Sequence, residues 1–163
     1  MDREDVKNEM NGMQPVTFTL RPIGVVRSPY HSMRDAPRQG RLSPGVLSKI
    51  AIFEEFRPGV GDLGGVRHII VLYWLDRAER DLLHATPPGT TTEKPVFATR
   101  SPNRPNPIGL CVVEVMKISE GCITVAGLDA LDMTPVLDIK PYSPGIDAIT
   151  CDGPGQNTPN QAM

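Results

Sequence analysis

The run Arg100-Ser101-Pro102-Asn103-Arg104-Pro105-Asn106-Pro107 constrains the fold more than any other stretch. Three prolines, two arginines and two asparagines share its eight residues. Proline fixes φ and has no N–H, so neither a helix nor a central strand passes through such a segment. Ser101, Arg104 and Asn106 each precede a proline, which pushes them toward extended backbone. The segment reads as a stiff, extended loop whose polar side chains are aimed in advance. It opens directly into an apolar run, Ile108 to Val115, and so reads as a binding edge anchored on a strand.

The rest of the composition agrees with a loop-rich, strand-based protein. Seventeen prolines and fifteen glycines make about a fifth of the 163 residues, which favours short strands joined by turns over long helices. A chain of this length suits one domain with its own core. The formal net charge of −2 argues against broad non-specific nucleic-acid binding, which needs a basic excess, but leaves room for a local basic patch. The three cysteines, Cys111, Cys122 and Cys151, contain no C-x-x-C pair, so neither a disulfide framework nor a zinc site is supported. His31, His68 and His84 are not paired at ligand spacing, and no metal is expected. His68, beside an apolar run, reads as a core or edge residue. The charged and polar opening, Met1 to Pro15, is unlike a signal peptide. No apolar run approaches the ~20 residues of a membrane span. The expected compartment is the reducing cytoplasm, with no membrane partner.

Along the chain, 1–15 reads as a disordered lead-in, 16–150 as the folded domain and 151–163 as a flexible tail. Val16 to Val26 alternates and is expected to be a first strand, interrupted near Pro22 and Gly24. Arg27 to Gly45 is a long irregular segment of the kind that carries function. Lys49 to Phe53 is a short strand. His68 to Leu75 is a near-continuous apolar run, expected to be a central buried strand. A helical turn or two is expected within Asp76 to Leu83, and a short strand at Val96 to Ala98. Ile108 to Ile118 and Cys122 to Leu128 form a hairpin about Glu120-Gly121, and Pro135 to Ile139 is the last strand. Six or so short strands without a long amphipathic helix argue for an all-β sandwich or barrel. No G-x-G-x-x-G follows a strand, and no Walker A or G-x-S-x-G sequence is present, so Rossmann, P-loop and α/β-hydrolase sites are unsupported.

Four stretches then match one family in order. Thr99-Arg100-Ser101-Pro102-Asn103-Arg104-Pro105-Asn106-Pro107-Ile108-Gly109-Leu110 resembles the signature of the TrmO family (also called TsaA-like or YaeB-like). Ile23 to Tyr30 resembles its amino-terminal strand, Pro37-Arg38-Gln39-Gly40 its first binding loop, and Leu128 to Tyr142 its carboxy-terminal motif. The resemblance covers about Ile23 to Asp147. It implies a small β-barrel of about six to seven strands with long irregular loops, not the Rossmann-type methyltransferase fold. It also implies S-adenosylmethionine as cofactor, a homodimer with the cofactor site near the subunit interface, and tRNA as partner. The implied reaction is methylation of N6 of the threonylcarbamoyladenosine beside the anticodon.

The resemblance also assigns residues. Arg38, Gln39, Gly40, Asp76, Arg77, Arg104, Asp132, Met133, Thr134 and Pro135 map onto cofactor-lining positions. Arg104 is placed on the methionine carboxylate, which an arginine can hold bidentately, and the Asp132-Met133-Thr134-Pro135 backbone on the adenine edge. Asp138, Lys140 and Tyr142 alternate, so they share a strand face and can point into one pocket. Asp138 is assigned as base or orienter, and Tyr142 as base or stacking platform. On the residues alone, an Asp138–Lys140 ion pair with Tyr142 packed over it explains the same pattern. Arg34, Arg38, Arg41 and Arg100 are read as a basic mouth for RNA, with Tyr30 as a stacking surface.

Two departures stand out. Met133 occupies a position where the family usually has glycine, a residue that permits positive φ or close approach. The sequence also ends soon after the core motif, which reads as lacking the further carboxy-terminal domain of many bacterial members. Two other functions share these features: a methyltransferase of the same fold with a small-molecule acceptor, and an S-adenosylmethionine-binding module without turnover.

Overall fold

The computed structural model describes residues 16–61 and 63–149. The expected tails, 1–15 and 151–163, lie outside the described residues. Six strands close into an antiparallel barrel: β1 (Gly24–Arg27), β2 (Leu47–Ile52), β3 (His68–Trp74), β6 (Ile108–Ser119), β7 (Cys122–Ala126) and β8 (Pro135–Pro141). Their order around the barrel is β1-β2-β7-β6-β3-β8, with β8 pairing back to β1. A separate two-stranded ribbon pairs β4 (His84–Ala85) with β5 (Lys94–Pro95). A single turn of helix, α1 (Pro144–Asp147), follows the barrel.

Alternation decides which side chains fill the barrel. Val26, Ile50, Ile52, Ile69, Val71, Tyr73, Cys111, Val113, Ile123, Val125 and Val136 point inward and form one core with Leu128 and Ala130. Residues two apart on a strand share a face, so their neighbours point out. Two irregularities adjust the period. In β8 the register jumps from Leu72↔Asp138 to Tyr73↔Val136, so Leu137 is extra. The bulge lets Val136 and Ile139 both face inward although they are three apart. In β6 a shift between Val115 and Lys117 does the same around Met116.

Four local expectations change. The first strand covers only Gly24–Arg27. Val16, Phe18 and Leu20 alternate but remain exposed, Phe18 at 79%. Alternation alone stabilises nothing without a partner strand, and β2 ends at Ile52, opposite Gly24. The His68 to Leu75 run is not buried on both faces. Ile69, Val71 and Tyr73 are buried, while His68, Ile70, Leu72 and Trp74 are half-buried on the outside. A strand in a closed barrel keeps one face outside, so its continuous apolarity serves an outer surface as well as the core. Val96–Ala98 is a 3-10 turn rather than a strand. Lys94–Pro95 takes the pairing instead, and buried Val96 anchors the turn. Asp76 to Leu83 forms turns without a helix.

Candidate functional site: one end of the barrel

In an antiparallel barrel, alternate connections emerge at the same end. Three connections share one end here: 28–46 between β1 and β2, 75–107 between β3 and β6, and 127–134 between β7 and β8. Arg38, Gln39 and Gly40 lie on the first. Asp76, Arg77, Arg100 and Arg104 lie on the second. Asp132, Met133 and Thr134 lie on the third, with Pro135 opening β8. The closed fold therefore brings together residues separated by almost a hundred positions.

Hydrogen bonds tie these loops to one another. Asp132 Oδ1 accepts from the Ser28 N–H at 3.1 Å, and its carbonyl accepts from Arg77 Nη2 at 2.7 Å. Its Oδ2 lies 3.8 Å from Arg27 Nη1. The Asp132 N–H donates to the Tyr30 carbonyl and the Met133 N–H to the Val26 carbonyl. Met133 has φ 66°, the only non-glycine residue with positive φ among the described residues. This is backbone geometry that glycine adopts without a Cβ penalty. The turn is held from both sides, and its strain is retained at a loop rim.

The signature loop folds around Arg104. Arg104 Nε donates to the Ser101 carbonyl at 2.8 Å, and Nη2 to the carbonyls of Thr99 at 2.7 Å and Val96 at 3.4 Å. The guanidinium thus closes its own loop first. Among the described residues Nη1 takes no acceptor, and it is the part of the group left for a ligand. Asn103 Oδ1 accepts from the Glu79 N–H at 3.2 Å, joining the signature loop to the turn after β3.

A second set of contacts was not anticipated from the sequence. Asp129 Oδ1 accepts from the Tyr73 hydroxyl at 2.6 Å, and Oδ2 accepts from the Gly40 N–H at 3.2 Å. One carboxylate therefore links β3, the Arg38-Gln39-Gly40 loop and the β7–β8 connection. Gly40 is buried directly against Gly127, where a Cβ would overlap the Gly127 carbonyl. Burial, followed by the Asp129 charge, pushes the Tyr73 phenol above its ordinary range. The same two causes push the Cys111 thiol up to about 12. Asp129, three residues before Asp132, was visible as an acid in the same motif. Nothing in the sequence said which buried groups it would meet.

The remaining candidates divide. Arg34, Arg38, Arg41 and Arg100 are exposed at the loop end, as a basic mouth requires, and Arg41 Nε donates to Gln39 Oε1 at 3.3 Å. Tyr30 is not a stacking surface. It is 7% exposed, and its hydroxyl has no partner among the described residues. Its ring packs into the barrel end because the β1–β2 connection folds back on Ala130 and Asp132 through Ser28. Asp138, Lys140 and Tyr142 do not join the loops within one chain. Asp138 and Lys140 lie on the outer face, opposite Leu72 and Ile70. Lys140 Nζ is 2.7 Å from Asp138 Oδ2. Tyr142 donates its N–H to the His68 carbonyl and meets the His68 ring edge-on at 6.4 Å. At ~3.4 Å per residue, Tyr142 lies roughly 24 Å along the strand from Pro135.

A closed six-stranded antiparallel barrel with three ligand-type loops at one end defines the class. The chain belongs to the family of tRNA-methyltransferase O N-terminal domains, whose family model matches residues 25–148. An S-adenosyl-L-methionine-binding protein of Archaeoglobus fulgidus is 58% identical over 130 residues, covering 80% of this chain and 93% of that protein. A probable S-adenosyl-L-methionine-binding protein of Methanothermobacter thermautotrophicus is 49% identical, covering 84% of this chain and 98% of that protein. A crystal structure of TrmO from Pseudomonas aeruginosa superposes with a TM-score of 0.72 at 34% identity. That match covers 87% of this chain and 62% of the TrmO chain, so this chain spans less than two thirds of that protein.

Proposed function

We propose that the chain is an S-adenosylmethionine-dependent methyltransferase that acts on tRNA, at N6 of threonylcarbamoyladenosine beside the anticodon. One observation carries the reading: the residues assigned to the cofactor fall on the three connections at one end of the barrel, with Pro135 at the adjoining start of β8. The donor set suits the group. Arg104 Nη1 and the exposed Arg38 and Arg77 are matched to a carboxylate. The Met133 carbonyl takes no backbone donor among the described residues and is matched to an exocyclic amine.

When bound, the cofactor supplies an electrophilic methyl group. The residues of this chain then position the acceptor nitrogen in line and take up its proton. Arg34, Arg41 and Arg100 hold phosphate or stack on a splayed base. Asp138, Lys140 and Tyr142 are proposed to act across a homodimer, because they lie on the outer face beside an apolar strip. That strip, Ile108, Leu110 and Val112 with Ile70 and Leu72, leaves Leu110 48% exposed. Contiguous exposed apolar surface of this kind marks an interface.

Methyl transfer from labelled S-adenosylmethionine to total tRNA, with and without the threonylcarbamoyl group, tests the reading. Incorporation is expected only with that group. Incorporation into both pools would refute the acceptor, and no cofactor binding by calorimetry would refute the enzyme. A second reading, a cofactor-binding module without turnover, is favoured by the Asp138–Lys140 pairing. Cofactor binding without transfer to any tRNA pool would select it.

A further inference from the structure

The strand registers align a row of cations across the outside of β1, β2, β7 and the later part of β6. Arg27 on β1 stands opposite Lys49 on β2. Lys49 stands opposite Thr124 on β7, and Thr124 opposite Lys117 on β6. Directly opposed residues share a face; Val26, Ile50, Ile123 and Val125, which flank Arg27, Lys49 and Thr124, point into the core, and Ile118, next to Lys117, packs against it. The row is therefore on the outside. Arg27, Lys49 and Lys117 are exposed. At about 4.8 Å per strand, the three steps from Arg27 to Lys117 span roughly 14 Å.

Like charges directly opposed across strands oppose pairing, and Arg27 faces Lys49 with no acid between them. Lys49 and Lys117 make no ion pair among the described residues. The carboxylates nearest in register are already engaged. Asp132 lies 3.8 Å from Arg27, and Glu114 is 3.2 Å from Arg67. The row also begins at the candidate site. Arg27, Ser28, Pro29, Leu47, Lys49 and Asp132 line one shallow groove, so the first cation borders the Asp132 turn and the others lead away from it. A row of cations leaving a site, two of them without an ion pair among the described residues, suits a polyanion strand.

We propose that Arg27, Lys49 and Lys117 hold the phosphate backbone of the RNA whose modified base enters the loop end, with Thr124 as a neutral hydrogen-bonding position between them. This inference rests on the tRNA reading and extends it to a surface outside the cofactor loops. Each phosphate contact contributes a salt-dependence slope of about 0.7 for single-stranded and about 0.9 for duplex nucleic acid.

The test uses the full chain, fluorescently labelled tRNA carrying the threonylcarbamoyl group, and a titration of potassium chloride. The Lys49→Ala/Lys117→Ala variant is expected to bind roughly tenfold more weakly, with a slope smaller by about 1.4 to 1.8. Lys49→Arg/Lys117→Arg is expected to retain wild-type binding. Cofactor affinity by calorimetry and the thermal midpoint are expected not to fall in either variant, because both lysines are exposed and Lys49→Ala relieves repulsion with Arg27. Wild-type slope and affinity in the alanine variant would overturn the row while leaving the tRNA reading intact. Absence of salt-dependent tRNA binding by the unmodified chain would overturn both.

Discussion

Replacing Met133 tests whether its left-handed backbone is imposed by the fold. At φ 66°, a residue with a Cβ costs roughly 1–2 kcal/mol relative to ordinary backbone. Glycine avoids that cost but loses about 0.5–1 kcal/mol more chain entropy on folding. Met133 is 45% exposed, so truncating it forfeits about 1 kcal/mol of burial. Met133→Gly alone is therefore expected to be close to neutral. The informative comparison is with Met133→Ala, which loses the same contacts and keeps the strain. At an ordinary position glycine is less stable than alanine by roughly 0.5–1 kcal/mol. Here the order inverts, and Met133→Gly exceeds Met133→Ala by about 0.5–1 kcal/mol. For a domain of this size that is a thermal midpoint difference on the order of 3 °C. Met133→Val, with a branched Cβ, falls below both. Urea unfolding of the three variants measures the order. If Met133→Ala were as stable as Met133→Gly, the turn would not be held at positive φ by the Val26 and Arg77 contacts, and the reasoning would fail.

Asp129→Asn keeps the shape but removes charge from the bonds to Tyr73 and Gly40. It is expected to cost about 2 kcal/mol, and a double-mutant cycle with Tyr73→Phe should show coupling of about 1 kcal/mol. Gly40→Ala places a Cβ on the Gly127 carbonyl. Because backbone rather than a side-chain tip must move, the cost should reach about 3 kcal/mol, read as a lower urea midpoint together with weaker cofactor binding. The Cys111 thiol, pushed up to about 12 by burial and by Asp129, stays protonated in the fold over a range where the unfolded thiol ionises. Its contribution is complete below the unfolded value, about 8.5, and is lost as pH rises through the folded value. The urea midpoint should fall between these limits, and less steeply in Cys111→Ala. An unchanged slope in that variant would assign the loss to Tyr73, which shifts in the same direction.

Much of the fold was legible because local chemistry specifies it. Proline density excluded regular structure from the Arg100 to Pro107 loop. Alternation located β2, β6, β7 and β8 to within a few residues, and Glu120-Gly121 marked the hairpin. The signature loop and the Leu128 to Tyr142 motif identified the family, and the resemblance alone drew attention to Met133. Local pattern misled where the outcome depended on a partner strand. Val16 to Leu20 alternates without a paired strand, and the His68 to Leu75 run is apolar on both faces for two different reasons.

What the sequence by itself determined is therefore a β-rich chain with three irregular loops and a short set of charged candidates on them. Tertiary structure decided how those candidates are used. Barrel closure placed the three loops at one end and turned Asp138 and Lys140 outward, with a bulge at Leu137 setting the phase. It buried Tyr30 and gave Asp129 its partners at sequence separations of 56 and 89 residues. It also aligned Arg27, Lys49 and Lys117 across neighbouring strands. The physical reason is the same in each case. A strand's period says which residues share a face, but only its register with distant strands says what that face meets.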